Sequence, residues 1–392
     1  MTKSSLEKQY DIVIIGAGPA GLNAGMNLIN NSQKLSILLV DKTIPWEKPI
    51  PCAEGIGKLG FHNSISVDPS WIRQEIHSAC FHAPNDSTVT YTDKSGGYII
   101  DRTKMQKDLA YNLERNGVKC LFGQKVTDIL PCNYHFRTIH FQNNTSVKAK
   151  TVIDASGPIE CFGKKENISC KPLDLEPAYF AWVEQIDQKQ DMIHIYLGGN
   201  FAPGGYAWVF PRGTNGANIG IVIGKQFCAN HNLKTLLDSF INRYYPGVKI
   251  IKRFAGSIPC TNKKVSLTGP RLIKTGDAAS TINPISRAGI AEALLSGKLA
   301  GQYALEMVNA TSNSQILSIC RKYEAAWLKV KGKRHIKLAK VKSTLVSIPD
   351  EDYNRGAKIL SSLPQKDLTM SKIFRASLGN FPKLVWALRH LM

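Results

Sequence analysis

The chain has 392 residues, 43% of them apolar and 20% charged, which is enough for two domains with a sizeable core and excludes disorder as the default state. Lys and Arg exceed Asp and Glu by 50 to 30, a net charge of +20. That imbalance favours anionic partners, whether nucleic acid, phosphorylated substrates or an acidic membrane surface, without choosing among them. Nine scattered cysteines form no C-x-x-C pair, and no histidine pair has metal-site spacing, so neither a metal centre nor a disulfide framework is expected, and a reducing cytosol is the simplest location.

The opening MTKSSLEKQY lacks the apolar region of a signal peptide, so export is not expected. Asp11-Ile-Val-Ile-Ile15 follows, an apolar run too continuous for a half-exposed strand, and it reads as a central parallel strand. It runs into Gly16-Ala-Gly18-Pro-Ala20-Gly21, then a helical pattern through Leu22, Met26 and Ile29, then a second apolar run ending at Asp41. A G-x-G-x-x-G in this βαβ setting is a dinucleotide-binding signature. Gly16 permits the tight turn, Gly18 lets the backbone approach a pyrophosphate, and Gly21 lets the helix pack on the sheet. The pyrophosphate rests on the helix N-terminus, and Asp41, twenty residues after Gly21, accepts from the adenosine ribose, with Lys42 beside it.

Residues 42–57 are rich in Pro and Gly and read as a loop. A second G-x-G-x-x-G at Gly55–Gly60 follows no strand and is read as a decoy. Alternation in Val89–Thr92 and Gly97–Ile100 predicts short antiparallel strands. Asp101 to Gly117 is a helix punctuated by an N-cap-like Asp and a C-cap-like Gly. A further strand ends in Asp154-Ala-Ser-Gly157. From about 170 to 265 the pattern becomes many short strands, which predicts a separate antiparallel sheet inserted into the α/β domain. The α/β pattern returns at Leu272–Ala279 and continues as a helix from Ala288 to Glu306. Met192–Pro211 is long and uncharged, but four glycines and two prolines exclude a transmembrane helix. Residues 331–392 carry 13 Lys and Arg against 4 Asp and Glu. Within them Ser371–Met392 is amphipathic and Trp-bearing, and Pro382 divides it into two short helices. Such an end either lies on an anionic bilayer or packs its apolar face on the body.

Three glycine turns in order, GAGPAG at 16–21, DASG at 154–157 and GDAA at 276–279, resemble the signature of FAD proteins with the p-hydroxybenzoate hydroxylase fold. Pro203-Gly-Gly-Tyr206-Ala-Trp208-Val-Phe210-Pro211 is similar to the P-x-x-Y-x-W-x-F-P pattern of the geranylgeranyl reductase family, and Lys48–Gly55 to that family's Lys-Pro-x-Cys-Gly loop, with Ala53 in place of its glycine. Arg102 matches a cofactor-contacting arginine, although Met105-Gln106 replaces the usual Phe-Asp. Pro284-Ile-Ser-Arg287-Ala-Gly289-Ile290 departs from the family's P-x-x-G-G-G-I. Arg287 there would either stabilise an anionic reduced flavin or crowd the pocket. The resemblance spans about residues 10 to 305 and leaves the basic tail outside.

It implies an α/β fold in which a Rossmann-like FAD-binding domain (1–60, 98–168, 266–330) is interleaved with an antiparallel-sheet substrate domain (61–97, 169–265); the composition adds a basic helical C-terminal region (331–392). The implied FAD contacts are Gly16, Gly18, Ala20, Gly21, Asp41, Lys42 and Arg102, then Asp154, Gly157, Gly276 and Asp277, and lastly Pro284, Arg287, Gly289 and Ile290. Tyr206, Trp208 and Phe210 would shape a lipid slot. The implied reaction saturates isoprenoid C=C bonds by hydride transfer from reduced flavin, with Cys52 as proton donor and Glu54 as its helper; Cys52 as a small loop residue beside the flavin is the alternative. No second strand-linked G-x-G-x-x-G exists, so NADPH or another reductant would visit transiently. An isoprenoid substrate and an anionic membrane surface are the expected partners, nucleic acid is not, and the oligomeric state is open. Two other functions fit the same features: an FAD monooxygenase or halogenase, against which Tyr206 speaks because it breaks a W-x-W-x-I-P, and a non-catalytic FAD protein held to anionic surfaces by charge.

Overall fold

The computed structural model describes residues 8–362 apart from 33, 134, 160–161, 164–165, 167, 169–173 and 261–265, and apart from the side chains of 93 and 94. Strand β1 (Gln9–Ile15), helix α1 (Pro19–Asn31) and β2 (Ile37–Asp41) form the expected βαβ unit. After the loop come β3 (Gly55–Gly57), the short α2 (Lys58–Ser64), β4 (Ile72–His82), β5 (Thr88–Ile100) and α3 (Arg102–Arg115). Next are β6 (Lys119–Phe122), β7 (Val126–Ile129), β8 (Arg137–Phe141) and β9 (Ser146–Asp154). The inserted region supplies β10 (Leu175–Glu184), β11 (Met192–Tyr196), β12 (Tyr206–Pro211), β13 (Gly216–Val222), α4 (Leu233–Tyr244) and β14 (Lys249–Pro259). The described residues then continue with β15 (Thr268–Gly269), β16 (Leu272–Lys274), α5 (Ile290–Val308), α6 (Asn313–Trp327), α7 (Lys333–Val346) and α8 (Asp350–Ser361).

The first sheet runs β15-β16-β9-β1-β2-β6, with β7 and β8 attached at β9. Its four central pairings are parallel. β1 is central and sealed on both faces, as its apolar run requires. Period-two alternation sends Ile12 and Ile14 to the layer containing Leu113 of α3 and Leu294 of α5, and Val13 and Ile15 to the opposite layer with Ile139, Phe141 and Phe162.

The second sheet runs β14-β10-β13-β12-β11-β4-β5-β3. It departs from the expected antiparallel order at one place, where β11 and β4 pair in parallel from Met192–Ser78 to Tyr196–His82. This pair joins the strands of residues 55–100 to those of 175–259. Helix α4 covers one face, packing Leu237, Phe240 and Ile241 on Ala181, Val209, Ile219 and Ile221. The other face carries Phe180, Trp208, Val222 and Phe254. The two short strands expected at 89–92 and 97–100 are one strand, β5, because Gly96 at φ +63° and a register shift between Ile76 and Ser78 absorb the irregularity without breaking the pairing.

No helix among the described residues is long and apolar enough to cross a membrane. The C-terminal region is helical to Ser361 as expected, while Ser371–Met392, with its two expected amphipathic helices, lies outside the described residues. Helix α7 carries His335, buried edge-on against Trp327 and flanked by Lys331 and Arg334. Burial first, then those two cations, pull its imidazole down to about 4. The unfolded chain takes up this proton as pH falls through about 6.5, whereas the folded chain refuses it until about 4, so stability is full above that window and is lost on descending through it. Denaturation between pH 7 and 4.5 should show a falling melting temperature, with His335 contributing at most about 3 kcal/mol. His335→Gln should flatten the slope; an unchanged slope would remove His335 from the account.

Candidate active site

The three glycine turns meet at the carboxyl ends of β1, β9 and β16, where ligands of open α/β sheets bind. Ala155 N–H donates to Ile15 C=O at 2.8 Å and Thr275 N–H to Asp154 C=O at 2.9 Å, which closes the turns on one another. Gly16 has φ +104°, and a Cβ there would lie 2.2 Å from the Ala155 oxygen. A Cβ on Gly21 would lie 1.9 Å from the Gly16 oxygen, and one on Gly276 2.7 Å from Ala20 Cβ. Positions 18 and 157 differ, since a Cβ at either would meet nothing within 4 Å. They floor an open groove at the N-terminus of α1, whose N-cap Gly18 offers no side chain to the first N–H groups. Free N–H groups, the positive end of the helix dipole and bare backbone fit a pyrophosphate, and so fit FAD.

Asp41 ends β2 and accepts from Ala17 N–H and Thr43 N–H, both at 2.8 Å, and from Thr43 Oγ1 at 2.9 Å. About one of its four lone-pair sites is left for a ribose hydroxyl. Lys42 next to it is exposed. Arg102 Nε donates to Gln106 Oε1 at 2.9 Å, and Gln106 Nε2 to Ala17 C=O at 3.1 Å. The glutamine that replaces the expected aspartate therefore ties α3 to the first glycine turn. Asp277 is half-buried and makes no side-chain hydrogen bond to a described residue; burial raises its carboxyl while the Arg102 charge opposes the rise. Pro284 and Ile290 are buried, and Gly289 caps α5.

Asp154 does not face the groove. Its side chain is fully buried, with Oδ1 accepting from Ser156 N–H and Oγ at 3.1 and 2.6 Å and Oδ2 lying 3.5 Å from Lys274 Nζ. Lys274 is equally buried and also donates to Phe162 C=O at 3.1 Å. The expected cofactor contact is thus a post that holds the second turn in shape.

Arg287, expected either to stabilise an anionic reduced flavin or to crowd the pocket, has its guanidinium engaged by other protein groups. It stands at φ +57°, a conformation that suits glycine. Its guanidinium is held by Glu176 at 2.6 Å, by Ile285 and Gly204 carbonyls at 3.0 and 3.1 Å, and over the Tyr206 ring at 5.0 Å. Glu176 is almost fully buried and also accepts from Lys342 of α7 at 2.6 Å, while Asp174 takes the same lysine at 2.5 Å. Two cations thus converge on one sealed carboxylate and pin the Pro284–Ile290 turn to the C-terminal helices. Glu176→Gln should cost about 3–5 kcal/mol in chemical denaturation, since it strands buried positive charge. A loss under about 1 kcal/mol would show that Asp174 alone neutralises the cluster.

Between groove and second sheet lies the loop with Cys52 and Glu54. Cys52 is half-buried, and its sulfur accepts from Glu54 N–H at 3.3 Å. Its carbonyl accepts from Asn218 Nδ2 at 2.8 Å, and Asn218 Oδ1 accepts from Trp208 Nε1 at 3.0 Å. A single asparagine on β13 therefore joins the cysteine loop to the aromatic row. Glu54, at φ +66°, pairs its buried carboxylate with Arg212 at 3.0 Å. Burial raises its carboxyl, and Arg212 opposes the rise. Tyr206, Trp208 and Phe210 share one face of β12 as their spacing predicts. Tyr206 donates to Ser286 C=O at 2.6 Å, which links the row to the Pro284–Ile290 turn. Trp208 is packed against Phe180 and is buried, while its two neighbours keep partial exposure. Beyond the strand, Arg212 stacks 3.6 Å over Trp182, and both line a cleft of about 760 Å³ with Trp46, Arg73, Asp101 and Lys104. Glu176, Arg212, Asn218 and Lys342 had no signal in the sequence, because each acts through a partner from 111 to 168 residues away.

Residues 174–258 match the family model described as geranylgeranyl reductase catalytic domain, and 11–172 that of lycopene cyclase protein. The chain is 31% identical to digeranylgeranylglycerophospholipid reductase 1 of Methanococcoides burtonii over 98% of this chain and 96% of the relative. A geranylgeranyl bacteriochlorophyll reductase-like structure from Thermoplasma acidophilum superposes with a TM-score of 0.88 at 27% identity, covering 98% of this chain and 100% of that one. The flavin-dependent brominase Bmp2 superposes at 0.66 with 15% identity over 96% and 99%, a likeness of fold alone. The 98% coverage takes in most of the C-terminal region, which the sequence motifs had left outside the resemblance.

Proposed function

Since the chain belongs to the geranylgeranyl reductase family and is an FAD-dependent oxidoreductase that reduces isoprenoid chains, we propose that its substrate is a membrane lipid bearing geranylgeranyl chains, of the kind named in its relatives. The observation that carries this reading is the Trp208–Asn218–Cys52 linkage, which sets the cysteine loop at the junction of the cofactor groove and the aromatic row. When bound, the flavin supplies the hydride. In this reading Gly16, Gly18, Gly21 and Gly157 give the backbone path for the pyrophosphate, Asp41 takes the ribose, and Arg102 and Asp277 hold the polar middle of the cofactor. Ala20, Gly276, Pro284, Gly289 and Ile290 shape the wall, and Lys42 stands at its exposed edge. Cys52 Sγ gives its proton to the alkene carbon that does not receive hydride. Glu54 and Arg212 act by holding the loop.

The row Tyr206–Phe210 ends at the charged cleft around Arg212, and six strand residues span roughly 20 Å. An apolar strip leading to a polar mouth suits an amphiphile with its chain inside and its headgroup at the surface. The basic amphipathic Ser371–Met392 would bring that mouth to an anionic bilayer. NADPH or another donor reaches the flavin transiently. The oxygen-using alternative retains only likeness of fold.

The test is anaerobic. Flavoprotein reduced by dithionite or by NADPH is mixed with geranylgeranyl phospholipid in detergent or in anionic vesicles, and products are weighed by mass spectrometry. Gains of two hydrogens per reduced bond are expected, and removal of 371–392 should slow the vesicle reaction while leaving the detergent reaction intact. Unchanged lipid mass with fully reduced flavin would refute the substrate, equal rates after truncation would refute the membrane role, and failure of NADPH alone would refute that donor.

A further inference from the structure

The parallel β4–β11 pair brings together three side chains that spacing along the chain had not grouped. Cys80 and His82 are two residues apart on β4 and so share a face. The register sets His194 beside Cys80 and Tyr196 beside His82. One ligand atom from each of Cys80, His82 and His194 lies within 4.8 Å of the others, and His82 Nε2 is 2.9 Å from His194 Nδ1. A tetrahedral zinc ion bonds imidazole nitrogen at about 2.0–2.1 Å and thiolate sulfur at about 2.3 Å, so its ligand atoms stand roughly 3.3–3.7 Å apart. The His82–His194 separation is shorter than that range and all three atoms lie within 4.8 Å, so small side-chain rotations reach it.

The surroundings order the ligands before a metal binds. The His82 ring is stacked on Tyr196 at 3.9 Å, and Tyr196 is fixed in turn by a 2.7 Å bond between its hydroxyl and that of Tyr245. The imidazole plane is thereby set before any ion arrives. Burial disfavours the charged imidazoles, drawing His82 down to about 4 and lowering His194, and it also raises the Cys80 thiol, a rise that a Thr90 hydrogen bond and the Lys189 charge oppose. The Asp86 charge opposes the lowering of His82 and is itself engaged by Tyr244 and Arg243. One sulfur and two imidazole nitrogens select zinc over magnesium or calcium.

We propose that Cys80, His82 and His194 bind one zinc-class divalent ion, with water in the fourth position, and that the ion staples β4 to β11. The two segments that build the second sheet meet at this pair, and parallel pairing is slightly weaker per residue than antiparallel. Tyr196 faces α4, whereas Ile195 lies on the opposite face with Trp208. The ion therefore sits on the far side of the sheet from Cys52 and strengthens the scaffold without entering the redox chemistry.

The experiment uses untagged full-length flavoprotein treated with chelator, then loaded with Zn²⁺ or Co²⁺ and desalted. One equivalent of zinc per chain should be retained, and the melting temperature should rise by several degrees. The cobalt form should show a thiolate-to-metal charge-transfer band with tetrahedral visible bands. Cys80→Ser and His194→Gln should each weaken binding at least about tenfold, while His135→Gln, an exposed histidine, should leave it unchanged. Retention well below one equivalent in the unaltered protein overturns the proposal. So does a cobalt spectrum without the sulfur band, which needs no variant to fold, and so does equal retention by the two ligand variants.

Discussion

Gly21→Ala is expected to give a protein that purifies without flavin colour. The added Cβ would sit 1.9 Å from the Gly16 carbonyl oxygen, a backbone atom that cannot rotate aside, so α1 must shift its first turn. That turn carries the N–H groups meant for the pyrophosphate. FAD affinity should fall at least about a hundredfold, close to 3 kcal/mol, and the apoprotein should lose about 2–4 kcal/mol of its own stability. Gly18→Ala is the instructive control. Its φ of −78° suits alanine, and its Cβ meets no protein atom within 4 Å. Apoprotein stability should hold while FAD affinity falls, because the methyl enters only the groove. Equilibrium dialysis and apoprotein melting separate the two effects, and a Gly21→Ala protein that binds FAD normally would displace the pyrophosphate from this turn.

Cys52→Ser is expected to slow alkene reduction about a hundred- to ten-thousandfold, the span of a lost general acid, with flavin reduction unaltered. Serine keeps the size of the side chain and still offers an acceptor to Glu54 N–H, and the Asn218 bond to the backbone carbonyl is untouched. The loop should therefore stay in place, so a loss would be chemical. Glu54→Gln disturbs the same loop by another route. It removes the charge opposite Arg212, which lies over Trp182, and should weaken substrate binding more than turnover. Stopped-flow measurement of each half-reaction decides the matter. An equal fall in both for Cys52→Ser would make Cys52 a wall of the flavin site; a full alkene rate would make it a small loop residue.

What could be read in advance was local. The βαβ unit, the three glycine turns, the helix opening at Asp101 and the face shared by Tyr206, Trp208 and Phe210 each depend on residues within a few positions of one another. Arg287 marks the limit of such reading. Its departure from glycine suggests either charge for the flavin or a crowded pocket, yet the side chain is taken up by Glu176, 111 residues earlier. Asp154 shows the same limit: a turn motif identified it, and burial beside Lys274 changed what it does. Glu54 was noticed for its nearness to Cys52, and its carboxylate answers to Arg212, 158 residues on.

The sequence by itself determined the cofactor class and the layered α/β order, because close backbone approach, strand alternation and helix caps are short-range demands that particular residues must meet in place. Only the tertiary structure decided which charges neutralise one another, how the cysteine loop is tied to the aromatic row through Asn218, and where two histidines and a cysteine assemble across the β4–β11 pair. The physical reason is that burial makes an ion pair or hydrogen bond obligatory without fixing how far along the chain its partner stands.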